Sequence, residues 1–119
     1  MNEAGGKGNS GSPKGHSVAF ADKDLYEAFL RLEKEDKELY KAISHAIDTL
    51  KRNPLFGIRI PKKLIPVRYV EKYGINNLRK YNLPKGWRML YFLKGSQLSL
   101  ISIVLEWLPH KKYERRFGY

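Results

Sequence analysis

The spacing of apolar residues changes along this chain, and each change marks an element. Ser17-Val18-Ala19-Phe20 is an apolar run long enough for one short strand. The period then becomes helical: Leu25, Ala28, Phe29 and Leu32 fall at i, i+3, i+4 and i+7, one face of a helix from about Asp22 to Lys34. Asp22 and Asp24 stand in its first turn, where the helix dipole favours anions. After a short break at Glu33–Asp36, a second stripe of Leu39, Ile43, Ala46, Ile47 and Leu50 predicts a helix from about Asp36 to Arg52. It stops at Asn53-Pro54, because the residue before a proline avoids the helical region. Helices joined this tightly predict an antiparallel hairpin.

The stretch Leu55–Gly74 has no clean period, and Pro61 and Pro66 exclude a central strand. It reads as an ordered loop with one helical turn after Pro66. Three strands are predicted next, at Asn77–Tyr81, Trp87–Leu93 and Leu98–Leu105. Asn82–Gly86 supplies a turn between the first two, and Lys94-Gly95-Ser96 a hairpin turn between the last two. Within the middle strand Trp87, Met89, Tyr91 and Leu93 share one face, while Arg88, Leu90 and Phe92 share the other. The last strand is almost continuously apolar, as expected of one covered on both faces. The ending Glu106–Tyr119 reads as a charged, aromatic tail that begins with a turn at Pro109. The expected fold is α+β, of order β-α-α-β-β-β: a strand and a helix hairpin packed on a small, mostly antiparallel sheet.

Composition narrows the classes. The 119 residues suit one domain, and 42% apolar residues with 2 Trp, 8 Tyr and 5 Phe can fill its core. Residues 1–16 hold five glycines and little apolar surface, so they are expected to be a disordered tail outside the domain at 17–119. The absence of cysteine excludes a disulfide framework, a thiol nucleophile and a cysteine-held metal centre. No apolar run is long enough for a membrane span, and the start has no apolar signal region, so a cytoplasmic protein without a membrane partner is the expectation. The net charge of +11 is unevenly placed. Residues 1–48 carry 7 basic and 9 acidic side chains, whereas residues 49–119 carry 16 basic and 3 acidic. That asymmetry points to a polyanion, nucleic acid first, against the plainer reading of a solvated basic face.

Phosphate-loop, dinucleotide and zinc-protease motifs are missing, and His16, His45 and His110 share no ligand spacing, so no metal or small-molecule cofactor is expected. His16 falls in the tail, and His45 lies off the apolar stripe, facing solvent. His110 sits among Lys111, Lys112, Tyr113, Arg115 and Arg116. By itself it reads more simply as an ordinary surface histidine. Arg88 is a charge within an apolar strand and has two readings. It pairs with Glu106 on the neighbouring strand, or it aims its planar fork at a phosphate. Such a set suits RNA cleavage by the 2′-hydroxyl, which needs proton transfer and neutralisation of phosphoryl charge but no metal or external nucleophile.

The segments Asn77-Leu78-Arg79-Lys80-Tyr81 and Leu83-Pro84-Lys85-Gly86-Trp87-Arg88-Met89-Leu90-Tyr91, with the ending from Leu105 to Tyr119, resemble the RelE/ParE toxin superfamily, in particular its archaeal RelE-like branch. The resemblance covers roughly residues 17–119. It implies the toxin of a type II toxin–antitoxin pair: an endoribonuclease that cuts messenger RNA on the ribosome and is held by an acidic, RelB-like antitoxin. It also implies that Arg88 contacts the scissile phosphate, that His110 acts as general acid or base, and that Tyr113 positions or stacks on the substrate. Arg79, Lys80, Lys62, Lys63, Arg115 and Arg116 are the expected RNA-binding residues. His110 and Tyr113 are three apart here, with six residues following, whereas several bacterial relatives end on an adjacent pair. Other members of the superfamily poison DNA gyrase, and a non-catalytic RNA- or ribosome-binding protein is a third reading.

Overall fold

A computed structural model describes residues 15–96 and 98–118. Most of the predicted tail lies outside these residues. Its last two, Gly15 and His16, lie inside, and His16 Nδ1 accepts the Leu100 N–H at 3.0 Å. The short strand is β1 (Ser17–Phe20), and the helix hairpin is α1 (Lys23–Glu35) and α2 (Lys37–Arg52). Asp22 caps α1, its side chain accepting the Leu25 N–H at 2.8 Å. Asp36 alone separates the two helices. Its backbone N–H closes α1 on Leu32 O, and its carboxylate opens α2 by accepting the Leu39 N–H. One residue therefore satisfies groups at two helix ends.

The sheet is built from β1, β2 (Ile58–Arg59), β3 (Arg79–Asn82), β4 (Arg88–Ser96) and β5 (Ser99–Leu108), in the order β1-β5-β4-β3-β2. β1 runs parallel to β5, and every other pairing is antiparallel. Both faces of its centre are covered. On one face Met89, Tyr91 and Val104 pack with Phe29, Leu39, Ile43, Ala46 and Leu50 of the hairpin. On the other, Leu90, Leu105 and Leu108 pack with Tyr69 and Tyr113. The alternation along β4 predicted from Trp87 to Leu93 sorts side chains between these two cores.

Two helices and a strand depart from the sequence reading. The Leu55–Gly74 loop contains the edge strand β2, a 3₁₀ turn at Lys62–Leu64 and a seven-residue helix, α3 (Val67–Tyr73). The two prolines do keep this strand at the sheet's margin. The charged ending is not a plain tail, because Pro109 opens α4 (His110–Arg116). The hairpin turn also comes later than expected. The β4–β5 ladder continues through Lys94 and Gly95 to the pair Ser96–Ser99. Gly95 is needed there, since its φ is +116° and a Cβ would lie 2.3 Å from Ser99 O.

No helix among the described residues is long and apolar enough to cross a membrane.

Candidate nucleic-acid interface

Arg88 begins β4, opposite Asn82 on β3 and Leu108 on β5. It lies on the face turned away from the helix hairpin. The partner expected for it from the sequence, Glu106, is engaged elsewhere, for a reason of register. Leu90 opposes Glu106 while Tyr91 opposes Val104, so Leu105 is the extra residue of a β-bulge. The bulge turns both Leu105 and Glu106 toward the same core. Glu106 stands two residues along from Arg88, where its carboxylate accepts from the Arg116 guanidinium and the Tyr69 hydroxyl. Arg88 forms no ion pair among the described residues. Its Nη1 donates to the Trp87 carbonyl at 3.2 Å, and its Nε is buried with no hydrogen-bond partner.

What holds Arg88 is an aromatic ring. Its Cζ lies 5.8 Å from the Tyr113 ring centroid, and Lys80 Nζ lies 5.3 Å from the same centroid. Tyr113 is 3% exposed and packs on Phe117 at 4.5 Å between centroids. A ring so buried is closed to a stacking base, which corrects half of the role expected for it. It acts as a floor under two cations, each drawn to the ring's negative face. Beside this floor is a small cleft of about 190 Å³, lined by Ile58, Ile60, Pro61 and Leu64 with Arg59 and Lys80 among them.

His110 is the first residue of α4, just beyond β5, so it stands at the same end of the β4–β5 ladder as Arg88. Its side chain is 54% exposed, and Nε2 lies 3.1 Å from Glu114 Oε2, one helical turn on. The approach of α4 to the β3–β4 turn depends on a glycine. A Cβ on Gly86, whose φ is +81°, would lie 3.3 Å from His110 Cβ.

The remaining expected residues divide. Lys80 joins the Arg88–Tyr113 group. Arg79 does not. It points to the opposite face and donates to Gly57 O at 2.7 Å and Leu55 O at 3.2 Å. Tyr91 pins the same segment, donating to Pro54 O and accepting the Gly57 N–H. Arg79 is thus a brace for the α2–β2 linker. Lys62 and Lys63 are exposed on the 3₁₀ turn. Arg115 and Arg116 turn toward α3, not toward Arg88. Burial, then the Glu106 carboxylate, raises the Tyr69 pKa, which keeps the phenol protonated and donating.

The sequence reading missed Arg68 and Lys112, which share a cleft with Arg115 and Arg116. The available signal was the spacing of Lys112, Arg115 and Arg116 at i, i+3 and i+4, hidden in what looked like a tail. Among the described residues, no three His, Asp or Glu side chains gather into a metal-holding group. Compared with family models, curated proteins and solved structures, the chain gives no match.

Proposed function

We propose that this chain is the toxin of a type II toxin–antitoxin pair, a ribosome-dependent endoribonuclease acting on messenger RNA in the cytoplasm. One observation carries the reading. Arg88 is half-buried, has no carboxylate partner among the described residues, and is held with Lys80 on the Tyr113 ring at the end of the sheet that His110 occupies. An arginine kept for stability would be paired; this one keeps its donors for an anion. In the proposed reaction the 2′-oxygen bonds to the adjacent phosphorus, its proton is removed, and the 5′-oxygen departs with a proton. Arg88 and Lys80 neutralise charge on the phosphoryl oxygens, and His110, oriented by Glu114, transfers a proton. An acidic antitoxin is the proposed partner, matched to the basic half of the chain.

A second reading is a ribosome- or RNA-binding protein without chemistry. The exposed i,i+4 pair of His110 with Glu114 favours it, being a common surface arrangement. Single-turnover cleavage on programmed ribosomes separates the two. Arg88→Ala should slow cleavage ~10²–10³-fold, the scale of losing a preorganised charge-stabilising donor. His110→Ala should slow it ~10²–10⁴-fold. Thermal stability measured on the same proteins should change little. Full cleavage by both variants would remove the catalytic reading, and DNA damage in place of cut transcripts on induction would favour a gyrase inhibitor.

A further inference from the structure

We infer that the cleft between α3 and α4 is a second phosphate site, which holds a backbone phosphodiester of single-stranded RNA apart from the Arg88 centre. It rests on the reading above only in taking RNA as the ligand. The cleft measures about 490 Å³ and is lined by Pro66, Val67, Arg68, Lys112, Arg115 and Arg116. Four cations from two helices meet there, and among the described residues no carboxylate lines it. Like charges brought together repel, and a paired surface would disperse or neutralise them. Glu106 grips Arg116 from the core side together with Tyr69, whose hydroxyl accepts from Arg116 Nη1 at 2.8 Å, while Asp22, Asp24 and Glu71 line the adjoining cleft that Arg68 also borders. Arg116 is thereby fixed in place before any ligand arrives, while Arg68, Lys112 and Arg115 are exposed and able to close on an anion.

Placement on α4 favours a strand of RNA over a lone phosphate. Lys112, Arg115 and Arg116 sit at i, i+3 and i+4 on one helix face. His110 opens the same helix six residues before Arg116, about 9 Å along its axis at 1.5 Å per residue. At 3.6 residues per turn His110 projects about 120–160° around α4 from these three side chains, so a strand that meets both groups passes around the helix. Val67, 67% exposed at the rim, offers apolar surface to a sugar or base.

The test is the salt dependence of binding to a labelled ten-nucleotide oligouridylate, measured by fluorescence anisotropy between 50 and 200 mM salt. Three proteins are compared: the unmodified chain, Arg68→Gln/Lys112→Gln/Arg115→Gln, and a control of equal charge loss on the helix hairpin, Arg31→Gln/Lys34→Gln/Lys37→Gln. Each phosphate contact on a single strand contributes a log–log slope of about −0.7, or about 2.6-fold in affinity over this fourfold salt range. The cleft variant should lose at least one such contact, and the control none. An unchanged slope in the cleft variant, or an equal change in the control, overturns the site. Calorimetry with inorganic phosphate is the second arm. Phosphate bound by the unmodified chain and lost in the cleft variant, with the RNA slope unaltered, assigns the cleft to free phosphate and overturns the RNA proposal. Should the triple variant not fold, Arg68→Gln alone is put through the same titration. A lowered slope alongside full cleavage by Arg88→Ala keeps this site and removes the catalytic reading; the converse pair of results does the reverse.

Discussion

On the hairpin side of β4, Met89 and Tyr91 meet Phe29, Leu39, Ile43 and Leu50, and the Tyr91 hydroxyl both donates and accepts. On the other side of the same strand, Arg88 and Leu90 meet Tyr113 and Leu108, and Arg88 Nε is buried with no partner. On the first face the Tyr91 hydroxyl is satisfied twice over, Ser102 Oγ is buried without a partner, and opposite charges meet at the rim, as Lys85 does with Glu38. The second keeps cations over aromatic rings and gathers four more in a cleft that no acid lines among the described residues. An unsatisfied charged donor costs more than an unsatisfied hydroxyl, so the deficit at Arg88 is the larger of the two and is one that an anion would offset. The hairpin face is accordingly where stability should be lost on mutation, and the α4 face is where activity should be lost.

The sharpest way to break that contrast is a crossed pair. Ile43→Ala leaves a cavity in the hairpin core, where the side chain is fully buried, and should lower unfolding free energy by about 2–5 kcal/mol in a urea titration. Cleavage per folded molecule should stay the same. Arg88→Ala should give the reverse pattern, and a stability loss as large as that of Ile43→Ala would show that both faces are scaffold. Next in size, Tyr91→Phe leaves the Gly57 N–H and Pro54 carbonyl without their partner, at a cost of about 1–3 kcal/mol. Because the Arg79 brace still holds Leu55 and Gly57, β2 should survive, which amide exchange at Ile58 and Arg59 would check. Asp36→Ala removes the α2 cap and should cost about 1 kcal/mol, read as a lower melting temperature with no change in cleavage.

The smallest effect is a pH dependence. The Lys85 hydrogen bond, then its charge, holds Glu38 below the usual carboxylate range, and the same contact raises Lys85. A lowered carboxylate contributes stability above its unfolded pKa and loses it as pH falls through the folded one. The raised lysine contributes below its unfolded pKa and loses it as pH rises through the folded one. Both side chains are largely exposed, so the contribution is small and screened by salt. Glu38→Gln should flatten the acid limb slightly at low salt and leave it unchanged at high salt. A large acid-limb change would mean that the hairpin face relies on charge after all.

The parts of this architecture visible in the sequence are those long enough to show a period. Thirteen and sixteen residues reveal α1 and α2 through their stripes, and alternation from Trp87 to Leu93 reveals the two faces of β4. Two-residue β2 and seven-residue α3 are too short to display a period, and their cohesion comes from distant partners. α4 was masked by its charge, although Tyr113 and Phe117 are spaced for one helix face and Pro109 stands at its start. The role of Arg88 was undecidable by spacing, because the bulge at Leu105 that redirects Glu106 leaves no mark in the local pattern. Arg79 was misplaced for a similar reason: its acceptors are carbonyls 22 and 24 residues away.

The parallel pairing of β1 with β5 joins Ser17 to Ile101 and Phe20 to Val104, neighbours separated by 84 positions in the chain. Contacts of such high order place folding of a domain this size toward the millisecond-to-second range. During synthesis at roughly 5–20 residues per second, the hairpin is complete at Arg52, yet the strand that buries its apolar face ends only at Leu108, about 3–11 s later. α4, made after every strand of the sheet, then brings His110 beside Gly86 and lays Tyr113 under Arg88. A nascent chain therefore carries no assembled centre until its sheet has closed. For a protein proposed to attack the machinery that makes it, that order of assembly holds back the centre until α4 has been made.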